Sequence, residues 1–142
     1  MKASGSQADF ESSLRKLIPD KVNEFAKLEA GEPYHFDRWE QDHSGSPSMY
    51  YVFSSHDGTQ NRKRVILSEV EAAFDTLRRT GRFDRNDFRT YCPKSESSGR
   101  CGFVVVGRIL EAFGEATYSG RQEGFLKQVE VHPKKQAPAK PC

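Results

Sequence analysis

The residues of this 142-residue chain best suited to chemistry are basic and hydroxylic, and they come in short runs. Lys94, Ser97, Ser98 and Arg100 fall in one polar stretch, KSESSGR, and Arg62, Lys63 and Arg64 stand side by side. Arg121 opens an RQEG turn. These types suit phosphate: hydroxyls and backbone N–H groups donate to its oxygens, lysine and arginine neutralise it, and arginine also pairs with guanine edges. Charge is placed unevenly along the chain. Residues 61–108 hold 11 Lys/Arg against 6 Asp/Glu, whereas residues 1–60 hold 6 against 10, and the whole chain carries +2. A basic segment beside an acidic one is expected where one face meets phosphates. A solvated basic helix surface produces the same counts.

Other chemistries find less support. Cys92 and Cys101 are too far apart for a zinc pair, whose ligands usually lie two to four residues apart, and His132 and Cys142 are remote. His35, Asp37, Asp42 and His43 include four oxygen or nitrogen ligands for a divalent ion, and a polar loop explains them as well. There is no Gly-x-Ser-x-Gly elbow, no phosphate-binding glycine loop and no His-Glu-x-x-His pair. Asp20, Glu24 and Lys27 superficially suit a metal-dependent nuclease, but they also read as a helix cap and a solvated helix face. The expectation is no catalytic residue, no metal and no cofactor.

Composition points to one folded unit. Ten phenylalanines and 11% aromatics are more than a disordered chain carries. No apolar run approaches the roughly 18 residues of a membrane helix, and MKASGSQADF lacks the apolar stretch of a secretory signal. Three cysteines at irregular positions do not form a secreted disulfide framework. The cytoplasm is the expected compartment, with no membrane partner.

The elements that would position the basic residues can be read from periodicity. Residues 1–8 are expected to be disordered, and 9–131 to form one compact domain. Phe10, Leu14, Leu17 and Ile18 have helical spacing up to Pro19. Asp20 is placed to cap a second helix carrying Val22, Phe25, Ala26 and Leu28 as far as Gly31. Residues 32–42 are aromatic-rich without a period. MYYVFS (49–54) and NRKRVIL (61–67) read as strands joined through Asp57-Gly58. Ser68 with Glu71 forms a capping-box pattern, and Val70, Ala73, Phe74 and Leu77 make one buried stripe that ends at Gly81. Asp84 is placed to cap a short helix through Phe88 and Tyr91 that stops at Pro93, and residues 94–99 read as a loop. In 101–113, Val104, Val105 and Val106 favour a strand, while Phe103, Val106, Ile109, Leu110 and Phe113 share a helical face. Length and Gly114 favour the helix. Gly102 and Gly107 would then serve close approach to another helix or to a DNA backbone. A final hairpin spans 116–131, and residues 132–142 form a Pro/Lys-rich tail expected to be disordered.

Helix, helix, helix and hairpin over residues 61–131 resemble the winged helix-turn-helix as a fold class. The resemblance implies an α+β fold in which residues 9–60, a helical pair and a β-hairpin, extend the winged helix. It further implies that the third helix enters the major groove and the hairpin lies along an adjacent groove or the backbone. Lys94, Ser97, Ser98 and Arg100 would then front the third helix, with Arg121 at the wing tip. Arg62, Lys63 and Arg64 would add backbone contacts. The expected function is double-stranded DNA binding, as a small regulator or an accessory subunit of DNA processing. A protein-interaction module is the alternative, with the aromatic residues Tyr34, Phe36, Trp39, Tyr50, Tyr51 and Phe53 as core or as a partner-binding face.

Overall fold

A computed structural model describes residues 2–28, 32–55, 57–120 and 122–128, the side chains of residues 2–8 excepted. The expected tail, residues 132–142, and the wing-tip Arg121 lie outside the described residues. The architecture is mixed α+β, with five helices and two antiparallel sheets among the described residues. Helix α1 (Lys2–Leu17) leads into β1 (Glu24–Phe25), β2 (Tyr34–Gln41), β3 (Pro47–Ser54) and β4 (Gln60–Ile66), which form a four-stranded sheet in that order. Then follow α2 (Leu67–Thr80), β5 (Arg82–Phe83), α3 (Arg85–Tyr91), α4 (Pro93–Ser98), α5 (Gly102–Ala112), β6 (Ala116–Tyr118) and β7 (Phe125–Lys127). The three short strands pair as β5-β7-β6.

Helix α1 begins at Lys2, well ahead of Phe10, the first residue of its apolar spacing. The second helix of the expected N-terminal pair does not form. Glu24 and Phe25 pair instead with His35 and Tyr34. The carbonyls of Ala26 and Lys27, which a helix would spend on its own N–H groups, accept hydrogen bonds from the Arg108 guanidinium. Strand β2 was hidden in the sequence by a register shift between Phe36 and Arg38. The bulge puts Phe36 and Trp39, three residues apart, opposite Tyr51 and Met49 on the same face. The β3–β4 hairpin turns through Gly58, whose φ of 87° suits glycine.

Helix α2 buries Val70, Ala73, Phe74 and Leu77, as the stripe requires, and Gly81 closes it at φ 85° with its N–H on the Leu77 carbonyl. The Ser68 capping box is absent: the helix starts at Leu67 and no side chain caps it. Asp84 does cap α3, in a reciprocal box with Asp87. Pro93 does not stop the chain's helical course but starts α4, the tolerated first-turn position, so the expected loop 94–99 is mostly helix. Residues 102–112 are helical, and both glycines of α5 face aromatic rings. A Cβ at Gly107 would lie 2.0 Å from the Phe125 ring, and one at Gly102 would lie 2.9 Å from Phe88. The close approach these glycines permit is internal.

Helix α5 is the centre of the molecule. Residues Gly102 to Gly107, Ile109 and Leu110 are all buried. One core joins it to Leu14 of α1 and Ile18 just after it, Met49, Tyr51 and Val65 of the large sheet, and Phe83 and Phe125 of the small one. Phe103 stacks on Phe83 at 5.8 Å and meets Phe125 edge-on at 5.4 Å.

Candidate nucleic-acid interface

Strand geometry divides the basic run 62–64. Side chains alternate between faces of a strand, and Arg62 and Arg64 stand opposite Val52 and Tyr50 on the outer face. There Arg62 pairs with Asp37 at 3.2 Å and Arg64 with Asp42 at 2.9 Å. Arg38 shares that face, held by Asp37 and Glu40 and lying over the Tyr50 ring. The Arg64 pair is the enclosed one, with the Asp42 side chain only 1% exposed. The Ser46 amide, together with the Ser44 amide and hydroxyl and Arg64, holds the Asp42 carboxyl well below its usual range. Arg62 and Arg64, two of the four arginines expected to meet nucleic acid, are thus already committed to carboxylates.

The serines of the 94–100 stretch have structural partners as well. Strand β4 is the edge of its sheet, and its outward N–H groups at Arg64 and Ile66 donate to Ser98 Oγ (3.0 Å) and Ser95 Oγ (2.8 Å) on α4. Helix α4 therefore covers an edge that would otherwise offer unpaired backbone. Ser97 is exposed and donates to the Lys94 carbonyl. The start of α4 is closed by Glu69, which accepts from the amides of Lys94 (3.1 Å) and Ser95 (2.7 Å). A carboxylate thus occupies the position a phosphate was expected to take, while the Lys94 side chain stays exposed.

Lys63, between the two committed arginines, points the other way. It sits opposite Tyr51, and its stem lies against Gly99, where a Cβ would come within 3.2 Å of Lys63 Cδ and of Cys101 Sγ. Arg100 follows in the turn to α5. Its carbonyl accepts from Arg85 Nη1 at 3.4 Å, and the Arg85 guanidinium lies 4.7 Å from the centre of the Phe103 ring. Lys63, Arg85 and Arg100 have no carboxylate within 4 Å among the described residues. The joint they surround is lined by phenols and a thiol. Tyr51 Oη lies 3.1 Å from Cys101 Sγ, and the Lys27 Nζ is 5.3 Å from the Tyr34 ring centre. Burial, reinforced by Cys101, pushes the Tyr34 phenol up, and Arg85 partly offsets it; burial likewise raises Tyr51. Both phenols are neutral at physiological pH, so the lysine and arginine charges there are uncompensated.

Of the predicted residues, Lys63 lies against Gly99, next in the chain to the exposed Arg100, while Arg62 and Arg64 face away, and Lys94 and Ser97 are exposed on α4. Arg85 was missed. Its signal was the i,i+4 pair Arg85 and Arg89 directly after the Asp84 cap, which puts two cations on one side of α3. The aromatic stretch serves the core: Tyr34 and Tyr51 are buried, and Phe36, Trp39 and Phe53 pack against the core.

Among the described residues no three His, Cys, Asp or Glu side chains group to hold a metal ion. Glu24 lies 3.7 Å from His35, while Lys27 rests on Tyr34. Cys92 is buried, donates to the Glu69 carbonyl, and has its thiol pKa raised by burial, which makes it unreactive. No described helix is long and apolar enough to cross a membrane. No protein-family model matches this chain, and neither does any curated protein or solved structure.

Proposed function

We propose that this chain binds double-stranded DNA at the joint formed by Lys63, Arg85 and Arg100, as a small regulator or an accessory subunit of DNA processing. The observation that carries the reading is the contrast in charge neutralisation. Arg38, Arg62 and Arg64 on the outer face of the large sheet face carboxylates, whereas these three, like Arg89 and Lys94 on the neighbouring short helices, face none within 4 Å among the described residues. Opposed to a polyanion, uncompensated cations release condensed counterions and gain affinity that depends on salt.

The element order supports a winged-helix arrangement as the scaffold. Helix α2, strand β5, the short helices α3 and α4, helix α5 and the β6–β7 hairpin follow in sequence. Strand β5 joins the hairpin on its β7 side. In this reading α5 corresponds to the helix that usually enters the major groove. Its burial revises the expected docking: α5 organises the scaffold, and contact passes to the side chains around its start.

Fluorescence anisotropy with a labelled 20-base-pair duplex tests the proposal. Binding should weaken steeply between roughly 50 and 200 mM salt, with log K falling by about 0.9 per log unit of salt for each phosphate neutralised. No duplex binding at about 50 mM salt overturns the reading and leaves the protein-interaction alternative.

A further inference from the structure

We infer that the chain reads the duplex through its phosphate backbone and not its base edges, so that it takes double-stranded DNA of any sequence. This rests on the DNA-binding reading above and specifies its substrate class.

Base readout in the major groove needs an element that reaches about 8.5 Å deep and presents side chains to base edges. Helix α5, whose start borders the cationic joint, is sealed on both sides. Phe125 of the small sheet lies over Gly107, while Val65 of the large sheet and Phe88 close on Gly102. Of its residues, only Arg108, Glu111 and Ala112 are not buried. Arg108 is spent: Nε and Nη2 donate to the Ala26 and Lys27 carbonyls at 2.8 and 3.2 Å, and Nη1 pairs with Glu111 at 2.6 Å. Glu111 in turn accepts from the Tyr118 amide at 3.0 Å. Releasing α5 into a groove would mean stripping a sheet from the core.

The neighbouring short helices offer no substitute. Asp84 and Asp87 close the start of α3, and Glu69 closes that of α4. Carboxylates at those termini repel phosphate and occupy the amides that would bind it.

What is left at the joint is suited to phosphate. The Arg85 guanidinium lies over the Phe103 ring, 4.7 Å from its centre, with one N–H on the Arg100 carbonyl, and its other donors have no partner among the described residues. A planar fork with open donors matches two oxygens of one phosphate. Lys63 is held in place by Gly99. The backbone there is extended, with φ −179° and ψ 138°, which any residue adopts. A Cβ at 99 would meet Lys63 Cδ and Cys101 Sγ at 3.2 Å, a tight contact to which these side chains would have to give by a few tenths of an ångström. Lys63 carries a point charge with no carboxylate within 4 Å among the described residues, and point charges contact phosphates without regard to sequence.

The experiment selects the full chain against a randomised 20-base-pair duplex pool, then compares AT-rich and GC-rich duplexes by anisotropy. No motif should be enriched, and the two affinities should agree within about twofold. Arg85→Ala should weaken every duplex about tenfold, as loss of a charge-assisted contact does. Gly99→Ala should weaken them less, and Lys63→Gln, which removes the charge but keeps the stem as far as Cδ, should weaken every duplex to a similar degree. An enriched motif bound more than tenfold tighter than random duplex overturns backbone-only reading while leaving DNA binding intact. An Arg85→Ala protein that folds normally and binds unchanged overturns the assigned contact. Absence of any duplex binding at low salt overturns both readings.

Discussion

The two sides of strand β4 carry the same kind of residue and do different things with it. On the outer face, Arg62 and Arg64 are matched to Asp37 and Asp42, and Arg38 to Asp37 and Glu40. On the inner side, Lys63 sits opposite the buried Tyr51 with its stem against Gly99, next in the chain to Arg100, whose carbonyl accepts from Arg85; none of these three cations has a carboxylate within 4 Å among the described residues. Three consecutive basic residues are thus divided by the two-residue period of a strand into a structural pair and one recruited cation. Charge counted along a sequence is not charge available to a partner. What decides availability is which face each side chain takes and whether an acid stands opposite.

The contrast can be attacked first where the structural side is strongest. Ser95 is wholly buried and its hydroxyl accepts from the Ile66 amide. Ser95→Ala leaves that amide unpaired, which should cost about 2 kcal/mol in chemical denaturation and leave the duplex salt slope unchanged. A change in slope with stability intact would return the α4 serines to the phosphate-binding side.

Asp42 sharpens the same contrast through pH. Its folded-state pKa is depressed from the ordinary 3.8, chiefly by the Ser46 amide and by Ser44 and Arg64. A depressed acid stabilises above its unfolded pKa and loses that contribution as pH falls toward the folded one. Asp42→Asn should therefore melt lower than the parent at pH 7, and the gap between the two melting curves should close as pH drops below 3.8. A gap that is constant with pH would mean that the Asp42 charge contributes nothing.

The smallest effect expected is at Ser68. With no side-chain hydrogen bond at the start of α2, Ser68→Ala should change stability by less than about 0.5 kcal/mol, below the typical loss for a true cap. A loss of about 1 kcal/mol would restore the capping box that the sequence pattern suggests.

These cases also mark what could be read in advance. Phe74 and Leu77 on the buried stripe, Gly81 at its end, Asp84 as a cap and Gly58 in the hairpin follow from short-range rules, because each depends on residues within one turn. The elements that went unread depend on distant partners. Glu69 caps α4 across 25 residues of sequence, and Arg108 holds the carbonyls that keep 24–28 out of a helix across 82. Strand β2 escaped because its bulge broke the alternation. Ser68 and Glu71 matched a capping pattern, yet the chain enters α2 directly from β4, with Ile66 as the cap residue and its amide held by Ser95. The site was half legible for the same reason. Lys63 and Arg100 were visible as basic residues, but nothing local distinguished Lys63 from Arg62 and Arg64. That distinction lies in Asp37 and Asp42, contributed by another strand and its following loop.

The central claim is that adjacent residues on one strand differ in availability, and a side-by-side comparison of Lys63→Gln and Arg62→Gln tests it. Both remove one positive charge from a partly exposed or exposed strand position. Anisotropy titrations of each variant and the parent should be run on one duplex at several salt concentrations. Lys63→Gln is expected to weaken binding severalfold and reduce the salt slope by about 0.9, the signature of one lost phosphate contact. Arg62→Gln, removing a surface ion pair worth at most about 1 kcal/mol, is expected to leave affinity and slope near the parent values. Equal losses from the two variants, or the larger loss from Arg62→Gln, would contradict the account.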